Sequence, residues 1–291
     1  MGRHVWEAFP VALQAFQEAE DTLGWDLRGL CSHGPPEELT RTDRAQPAIF
    51  TCSVATWRVL EERGVGFDVA MGHSLGEYSA LVAVGHLSFA DALRVVERRG
   101  KAMWACGEQA AGTMAAVLGL DDEVVEQACE EAGEVWPANF NSPGQVVVSG
   151  SPAGVERLGK LVMERGARKV MPLQVSGAFH SPLVAGAAEE LEQVLGDVRF
   201  LPASQGRFFS TTELRYPSIG DLRDVLVRQL TSPVRFTQSA QIALADAALG
   251  IEVGPGNVLA GLVKRVRRDL LVVGTSDATD LNTAIERGSA R

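Results

Sequence analysis

Cysteine, aromatic side chains and long apolar runs are all scarce in this sequence. The four cysteines lie far apart, without a Cys-x-x-Cys pair, at Cys31, Cys52, Cys106 and Cys129. This spacing argues against a disulfide framework and a cysteine-based metal site, and it predicts reduced, packed thiols. No apolar run approaches the roughly 20 residues of a membrane span, and the opening MGRHVWEAFP lacks the apolar core of a secretory signal. We therefore expect a cytoplasmic protein with neither a metal nor a membrane partner.

Basic residues are outnumbered by acidic ones. The chain carries 27 Lys and Arg against 37 Asp and Glu, for a formal net charge of -10, and its pI is near 5.1. An acidic chain offers little to a phosphate backbone, so we expect no nucleic-acid partner. With 291 residues, 46% of them hydrophobic and 22% charged, the chain can bury a core for one large domain or for two.

The pattern of apolar residues divides the chain into three parts. The first reads as helical, with a long helix from Pro47 to about Arg63. From about 112 to 176 the pattern alternates in the βαββαβ order of ferredoxin-like domains. The remainder returns to apolar strands separated by helices. This predicts an α/β fold in which a small ferredoxin-like subdomain, 112–176, is inserted into a parallel-sheet subdomain formed by 1–111 and 177–291.

One serine lies in a pattern typical of a nucleophile. In FDVAMGHSLGEYSALVA, residues 67–83, an apolar strand breaks at Ser74, flanked by Gly72 and Gly76, and a helix follows. Glycines at these positions permit the sharp strand-to-helix turn that exposes a serine hydroxyl above a parallel sheet. The same residues could form a tight turn without chemistry, so the motif alone leaves both readings open.

A serine nucleophile needs a base, and the chain has only five histidines. His73 adjoins the serine, but its side chain should point away from that of Ser74. His180 follows the last strand of the inserted subdomain, where a loop can face a cleft. Position alone favours an ordinary surface or core histidine over a base.

Arg99 lies on the apolar face of the helix that follows Ser88. Its neighbours at helical spacing are Val95, Val96 and Met103. An arginine turned inward needs an anionic partner, and its planar fork suits a carboxylate. That partner could be a ligand or one of the 37 acidic side chains.

Eight segments, all in family order, resemble the malonyl-CoA:acyl carrier protein transacylases and the related acyltransferase domains of polyketide synthases. They extend over nearly the whole chain: LTRTDRAQPAI, GHSLGEYSAL, RRGKAM, GTMAAVLGL, NFNSPGQVVVSG, GAFHSP, QLTSPVRF and EVGPGNVLAGLVKR. The resemblance implies an α/β-hydrolase-like large subdomain with a ferredoxin-like small one, in agreement with the pattern above.

The resemblance also implies roles for individual residues. Ser74 matches the acylated nucleophile and His180 its base, oriented by a backbone carbonyl and not by an acid. Arg99 matches the residue that holds the free carboxylate of malonate, and Leu75 N–H is the expected first oxyanion donor.

Further substrate contacts are expected from the same match. Gln46 matches a glutamine near the substrate, although it could simply start a helix, and His73 lies beside the nucleophile. Phe179 resembles the malonyl-selecting form of its loop, in which a ring would crowd an α-methyl branch. Asn139 or Asn141 is expected to line the cleft, although a turn also explains Asn141.

The implied reaction is ping-pong transfer of malonyl from malonyl-CoA to the phosphopantetheine thiol of acyl carrier protein, for fatty acid or polyketide synthesis, by a monomer without a cofactor. Two other functions stay open at this stage. One is an acyl hydrolase acting on carrier-protein thioesters, and the other is a weakly catalytic scaffold that docks the carrier protein.

The sequence departs from the family in two places. Family members open with a strand and a Gly-Gln-rich loop that precede the segment resembling MGRHVWEAFP. Either the native chain is longer, which we expect, or this is a shortened form that lacks a sheet strand and half of its oxyanion hole. Trp104 stands where a glutamine is usual. The carrier protein is itself acidic, so local basic patches must steer it, and the candidates are 264–268 and the trio Arg165, Arg168 and Lys169.

Overall fold

Helices make up the first part of the chain in the computed structural model, which describes residues 1–109, 112–175 and 177–290. Their bounds are α1 Arg3–Ala8, α2 Pro10–Leu23, α3 Leu27–His33, α4 Pro36–Thr40 and α5 Thr42–Glu62. The long helix α5 therefore begins five residues before the predicted start at Pro47. Proline lacks an N–H, so it removes one hydrogen bond near the start of α5 without ending the helix.

The serine motif connects a short strand to two helices. Strand β1 is Val69–Ala70, and it is followed by α6 Gly76–Val84 and α7 Phe89–Gln109. Helix α5 packs against α6 and α7, and apolar residues of α5 such as Phe50 and Leu60 belong to the main hydrophobic core. Helix α7, which carries Arg99, is therefore held in position by packing in the core of the large subdomain.

The middle of the chain has the predicted βαββαβ order. Its elements are β2 Thr113–Leu118, α8 Asp122–Ala132, β3 Val135–Ser142, β4 Gln145–Gly150, α9 Pro152–Glu164 and β5 Lys169–Pro172. The strands form an antiparallel sheet in the order β3-β4-β2-β5. This is the ferredoxin-like arrangement, and the predicted fold class is confirmed.

Both faces of this antiparallel sheet are buried. Val146 and Val148 of β4 join a core with α8 and α9, whereas Val147 between them packs in the main core. Because strand side chains alternate between faces, one face is covered by the subdomain's own helices and the other by the large subdomain. Asn139 is paired with Val147, which places it on the face toward the large subdomain.

The chain then returns to the large subdomain. Its elements here are α10 Ala185–Gly196, β6 Arg207–Phe208, α11 Leu222–Gln229, α12 Phe236–Ala243, β7 Gly250–Ile251, α13 Val258–Val266, β8 Val272–Val273 and α14 Ala278–Ser289, with 3-10 helices at Pro182–Val184 and Ile219–Asp221. Strands β1 and β6 pair in parallel, as do β7 and β8. The predicted boundaries at 111 and 176 fall on residues outside those described. Within the described ranges, no helix has the length and apolar character needed to cross a membrane.

Candidate active site

Ser74 occupies a sharp turn between β1 and α6. Its backbone φ is 50°, in the left-handed region that side chains other than glycine rarely adopt. The turn is tight because Gly72 lies against the backbone of Gly76 and Glu77, where a Cβ on residue 72 would collide. The strained turn is therefore possible only with glycine at 72, and it leaves the Ser74 side chain at the start of α6.

His180 faces this serine from a loop 106 residues later. Its Nε2 lies 2.9 Å from Ser74 Oγ, and its backbone φ is 58°. The Nδ1 atom lies 2.9 Å from the Gln229 carbonyl and 3.1 Å from the Ser232 carbonyl. Carbonyls only accept hydrogen bonds, so Nδ1 carries the proton and the Nε2 lone pair faces the serine hydroxyl.

The environment of His180 keeps the imidazole neutral. Burial, followed by the nearby positive charge of Arg99, lowers the pKa of His180 to about 3. A neutral imidazole with its lone pair 2.9 Å from a hydroxyl can accept the hydroxyl proton. The pair can therefore generate a serine nucleophile without a carboxylate behind the histidine.

Acylation of Ser74 by an activated acyl donor should consequently be almost independent of pH between about 8 and 5, because the base stays deprotonated. A histidine with an ordinary pKa of about 6.5 would lose about 30-fold over the acid part of that range. Single-turnover acylation followed by intact mass at each pH measures this.

Because the unfolded chain takes up this proton near its ordinary pKa and the folded chain does so only near 3, stability falls as pH drops below about 6.5. Circular dichroism must therefore confirm folding at each point, and a rate that halves near pH 6.5 in folded protein would contradict the expectation.

Arg99 is buried beside the nucleophile, as its position on the apolar helix face predicted. Its Nη2 donates to Ser74 Oγ at 2.8 Å and to Gln229 Oε1 at 3.2 Å, and its Nη1 donates to Gln46 Oε1 at 2.6 Å. All three acceptors are neutral. Among the described residues none of the ion pairs includes Arg99, so the reading in which it pairs with an acidic side chain is wrong.

The other predicted site residues are less closely joined to the nucleophile. The Nε2 atom of His73 lies 2.8 Å from Asn141 Oδ1, and its ring packs 5.6 Å from that of Phe236. Phe179 is buried in the main core next to His180. Asn139 is also buried, and its Nδ2 lacks a hydrogen-bond partner among the described residues.

Leu75 follows the nucleophile at the N-cap position of α6. Its N–H donates to no acceptor in the part of the chain that the structure describes, whereas the next two N–H groups bond back to His73 and Ser74 carbonyls. A free N–H directly after the nucleophile is able to bind a developing oxyanion.

Two residues of this site were missed by sequence reasoning. Gln229 contacts Arg99, Ser74 and His180, and Glu77 is fully buried behind it. Burial raises the pKa of Glu77, opposed by hydrogen bonds from Thr211 and Gln229. Helix α6 is apolar on most of its surface, GEYSALVAV, which was a signal that its single acid had to be buried.

A model of one protein family matches almost the whole chain. It is described as the acyl transferase domain, and it matches residues 1–284. The chain therefore belongs to the acyl transferase domain family.

The relatives and the solved structures carry more specific names. The chain is 42% identical over 291 residues to the malonyl CoA-acyl carrier protein transacylase of Bacillus subtilis (strain 168), covering 98% of this chain and 92% of that protein. It is 42% identical over 285 residues to the enzyme of the same name from Escherichia coli (strain K12), covering 96% and 92%. A solved structure of a type II PKS acyl-carrier protein in complex with its malonyl-transacylase matches with a TM-score of 0.93 and 41% identity, covering 98% of this chain and 94% of that one.

Proposed function

We propose that this chain transfers a malonyl group from malonyl-CoA to the phosphopantetheine thiol of an acyl carrier protein, through an acyl-enzyme on Ser74. The observation that carries the proposal is the buried Arg99 guanidinium, 2.8 Å from Ser74 Oγ and surrounded by neutral acceptors. A buried cation one hydrogen bond from the nucleophile suits an acyl group that ends in a carboxylate. The similarity to malonyl CoA-acyl carrier protein transacylases supports the same substrate and partner.

In the first half-reaction Ser74 Oγ attacks the thioester carbonyl while its proton passes to His180 Nε2. The resulting imidazolium donates from Nδ1 to the carbonyls of Gln229 and Ser232. Leu75 N–H binds the oxyanion of the tetrahedral intermediate. The carbon–sulfur bond then breaks, coenzyme A leaves, and the proton on Nε2 goes to the departing thiolate.

The second half-reaction is the reverse with a different thiol. The phosphopantetheine thiol of the carrier protein gives its proton to His180 Nε2 and attacks the Ser74 ester, and the proton returns to Ser74 Oγ as malonyl leaves. Each bond formed in the first half is broken in the second, so the enzyme ends unchanged.

Arg99 has hydrogen-bonding capacity left for the substrate. A guanidinium has five N–H groups, and within the part of the chain that the structure describes Arg99 donates to three oxygens, those of Gln46, Ser74 and Gln229. Once Ser74 is acylated its oxygen is part of an ester, so the N–H directed at Oγ is released beside the acyl chain. We assign this N–H and the free N–H of Nη1 to the malonyl carboxylate.

The remaining predicted contacts are assigned by position. Gln46 Oε1 accepts a hydrogen bond from Arg99 Nη1 and so orients the guanidinium. The Nδ2 atom of Asn139, which has no partner among the described residues, is assigned to the substrate. Phe179 lies next to the base and would crowd an α-methyl branch of the acyl group. One methyl group contributes only about 1 to 3 kcal/mol of discrimination, so selection against branched acyl groups should be partial. His73 supports the turn through Asn141. No substrate contact is assigned to Trp104, whose ring lies under the Arg41 guanidinium.

The carrier protein is proposed to dock beside exposed cations. Lys264 and Arg268 are exposed in the segment 264–268, and Arg168 and Lys169 are exposed on the small subdomain. Arg165 is already paired with Glu131, so it contributes less. We propose that the small subdomain is 112–176 and that the protein acts as a monomer in fatty acid or polyketide synthesis. We also propose that it acts in the cytoplasm, a compartment in which its four free cysteines stay reduced.

The experiment that tests this function is intact-mass measurement after incubation with malonyl-CoA, followed by addition of phosphopantetheinylated carrier protein. We expect a malonyl adduct on the protein that is lost to the carrier thiol much faster than to water. Faster loss to water than to thiol would indicate an acyl hydrolase. The absence of an adduct, with the carrier protein still bound, would indicate a scaffold.

A further inference from the structure

Glu77 is a buried carboxyl group that the proposed mechanism does not use. Thr211 N–H donates to its Oε1 at 2.6 Å, and the Thr211 hydroxyl lies 2.9 Å from the same oxygen. Gln229 Nε2 donates to its Oε2 at 2.6 Å. Both ends of this carboxyl group therefore accept a hydrogen bond from an N–H.

Gln229 connects Glu77 to the reacting groups. Its Nε2 also donates to the Ser74 carbonyl at 3.0 Å, its Oε1 accepts from Arg99 Nη2 at 3.2 Å, and its backbone carbonyl accepts from His180 Nδ1 at 2.9 Å. A side-chain amide can turn over and exchange its oxygen and nitrogen. Turned over here, it would set its NH₂ against the Arg99 guanidinium and its oxygen against the Ser74 carbonyl.

We infer that Glu77 is a positioning residue for malonyl selection, because its Oε2 holds the Gln229 amide in the orientation that presents an oxygen to Arg99. The inference rests on the proposed malonyl transfer. Glu77 touches neither substrate nor the reacting atoms. It acts on Arg99 through one amide, and Arg99 in turn is the group that distinguishes an acyl chain ending in a carboxylate from one that does not.

An amide cannot replace the Glu77 carboxyl group. Glutamine at 77 has one oxygen and one NH₂, and the backbone N–H of Thr211 cannot turn away. If the new oxygen accepts from Thr211, the new NH₂ meets the NH₂ of Gln229 and turns that amide over. If it accepts from Gln229 instead, the new NH₂ collides with the Thr211 N–H. Each arrangement leaves two donors facing each other in a buried site.

The test is Glu77→Gln, with malonyl and acetyl transfer measured side by side from the two CoA thioesters. We expect the ratio of malonyl to acetyl kcat/KM to fall at least about tenfold, because Arg99 loses its hydrogen bond to the Gln229 amide oxygen and is no longer oriented by it. The matched control is Glu252→Gln, whose side chain also accepts from two N–H groups, those of Leu259 and Ala260. Among the described residues Glu252 shares no hydrogen-bond partner with Gln229 or Arg99. The control can lower stability and should leave the ratio unchanged.

The outcomes separate the possibilities. A Glu77→Gln protein that melts earlier but keeps the wild-type ratio would assign Glu77 a purely structural role and overturn the inference. If Glu77→Gln does not fold, Gln229→Met decides, since removing the amide must lower the ratio by at least as much, and an unchanged ratio again overturns it. In a double variant the two changes should not add. Failure of the wild-type protein to accept malonyl would instead contradict the proposed function itself.

Discussion

Replacing Ser74 by alanine should abolish covalent malonylation of this protein, because the only atom proposed to form the acyl bond is lost. Replacing His180 by alanine should slow malonylation by about 10²- to 10⁴-fold, the usual contribution of a general base. The two variants act at the two ends of one 2.9 Å contact between Oγ and Nε2. Intact mass gives the extent of acylation, and single-turnover kinetics gives the rate.

Matched controls for this pair lie elsewhere in the chain. Ser88→Ala removes an exposed serine that caps α7, and His86→Ala removes a histidine whose Nδ1 also meets a backbone carbonyl, that of Leu201 at 2.7 Å. Both controls should be acylated at the wild-type rate. A malonyl adduct on the Ser74→Ala protein would show that another residue is the nucleophile, and an unchanged rate for His180→Ala would remove the histidine from the mechanism.

Arg99→Ala should reduce malonyl transfer about 10- to 150-fold more than acetyl transfer, because charged hydrogen bonds contribute about 1.5 to 3 kcal/mol and only malonate presents a carboxylate. Acetyl transfer should fall as well, since Arg99 also donates to Ser74 Oγ. The difference between the two losses is therefore the informative quantity. Initial rates with both CoA thioesters at subsaturating concentrations give it directly.

The neighbouring arginine is a close control for this experiment. Arg98 lies on the same helix, exposed, with a surface ion pair to Glu190. Arg98→Ala removes the same charge and should change neither rate by more than about twofold. Equal losses of malonyl and acetyl transfer in Arg99→Ala would leave Arg99 with a structural role only.

Much of the fold was accessible from the pattern of apolar residues. The βαββαβ order of the middle segment was predicted because its strands and helices differ in period and are separated by turn residues. The apolar run before Ser74 predicts a longer strand than the structure has, since only Val69–Ala70 pairs with β6. A run of apolar residues indicates which positions are buried, and the buried positions extend beyond those that hydrogen-bond to the neighbouring strand.

The residues of the candidate site could be predicted from the sequence to different degrees. Ser74 and Arg99 stand out locally, one by its flanking glycines and the other by its position on an apolar face. His180 was singled out by position only, and its closeness to Ser74 depends on how two distant segments fold together. Gln229 left no local signal, because a residue whose side chain and backbone carbonyl together join three distant segments produces no periodicity along the chain. Such contacts can be found only once the segments are placed in space.

The antiparallel sheet of the small subdomain is buried on both faces, and this burial affects how substrates can be selected at Ser74. Val147 of that sheet and the core residues of the large subdomain share one hydrophobic cluster. Pulling the two subdomains apart would expose this surface to water, at about 25 cal/mol for each Å² uncovered. The two subdomains are therefore expected to keep their relative position when a substrate binds. Discrimination among acyl chains then depends on the side chains beside Ser74, such as Arg99, and not on a closing movement of the subdomains.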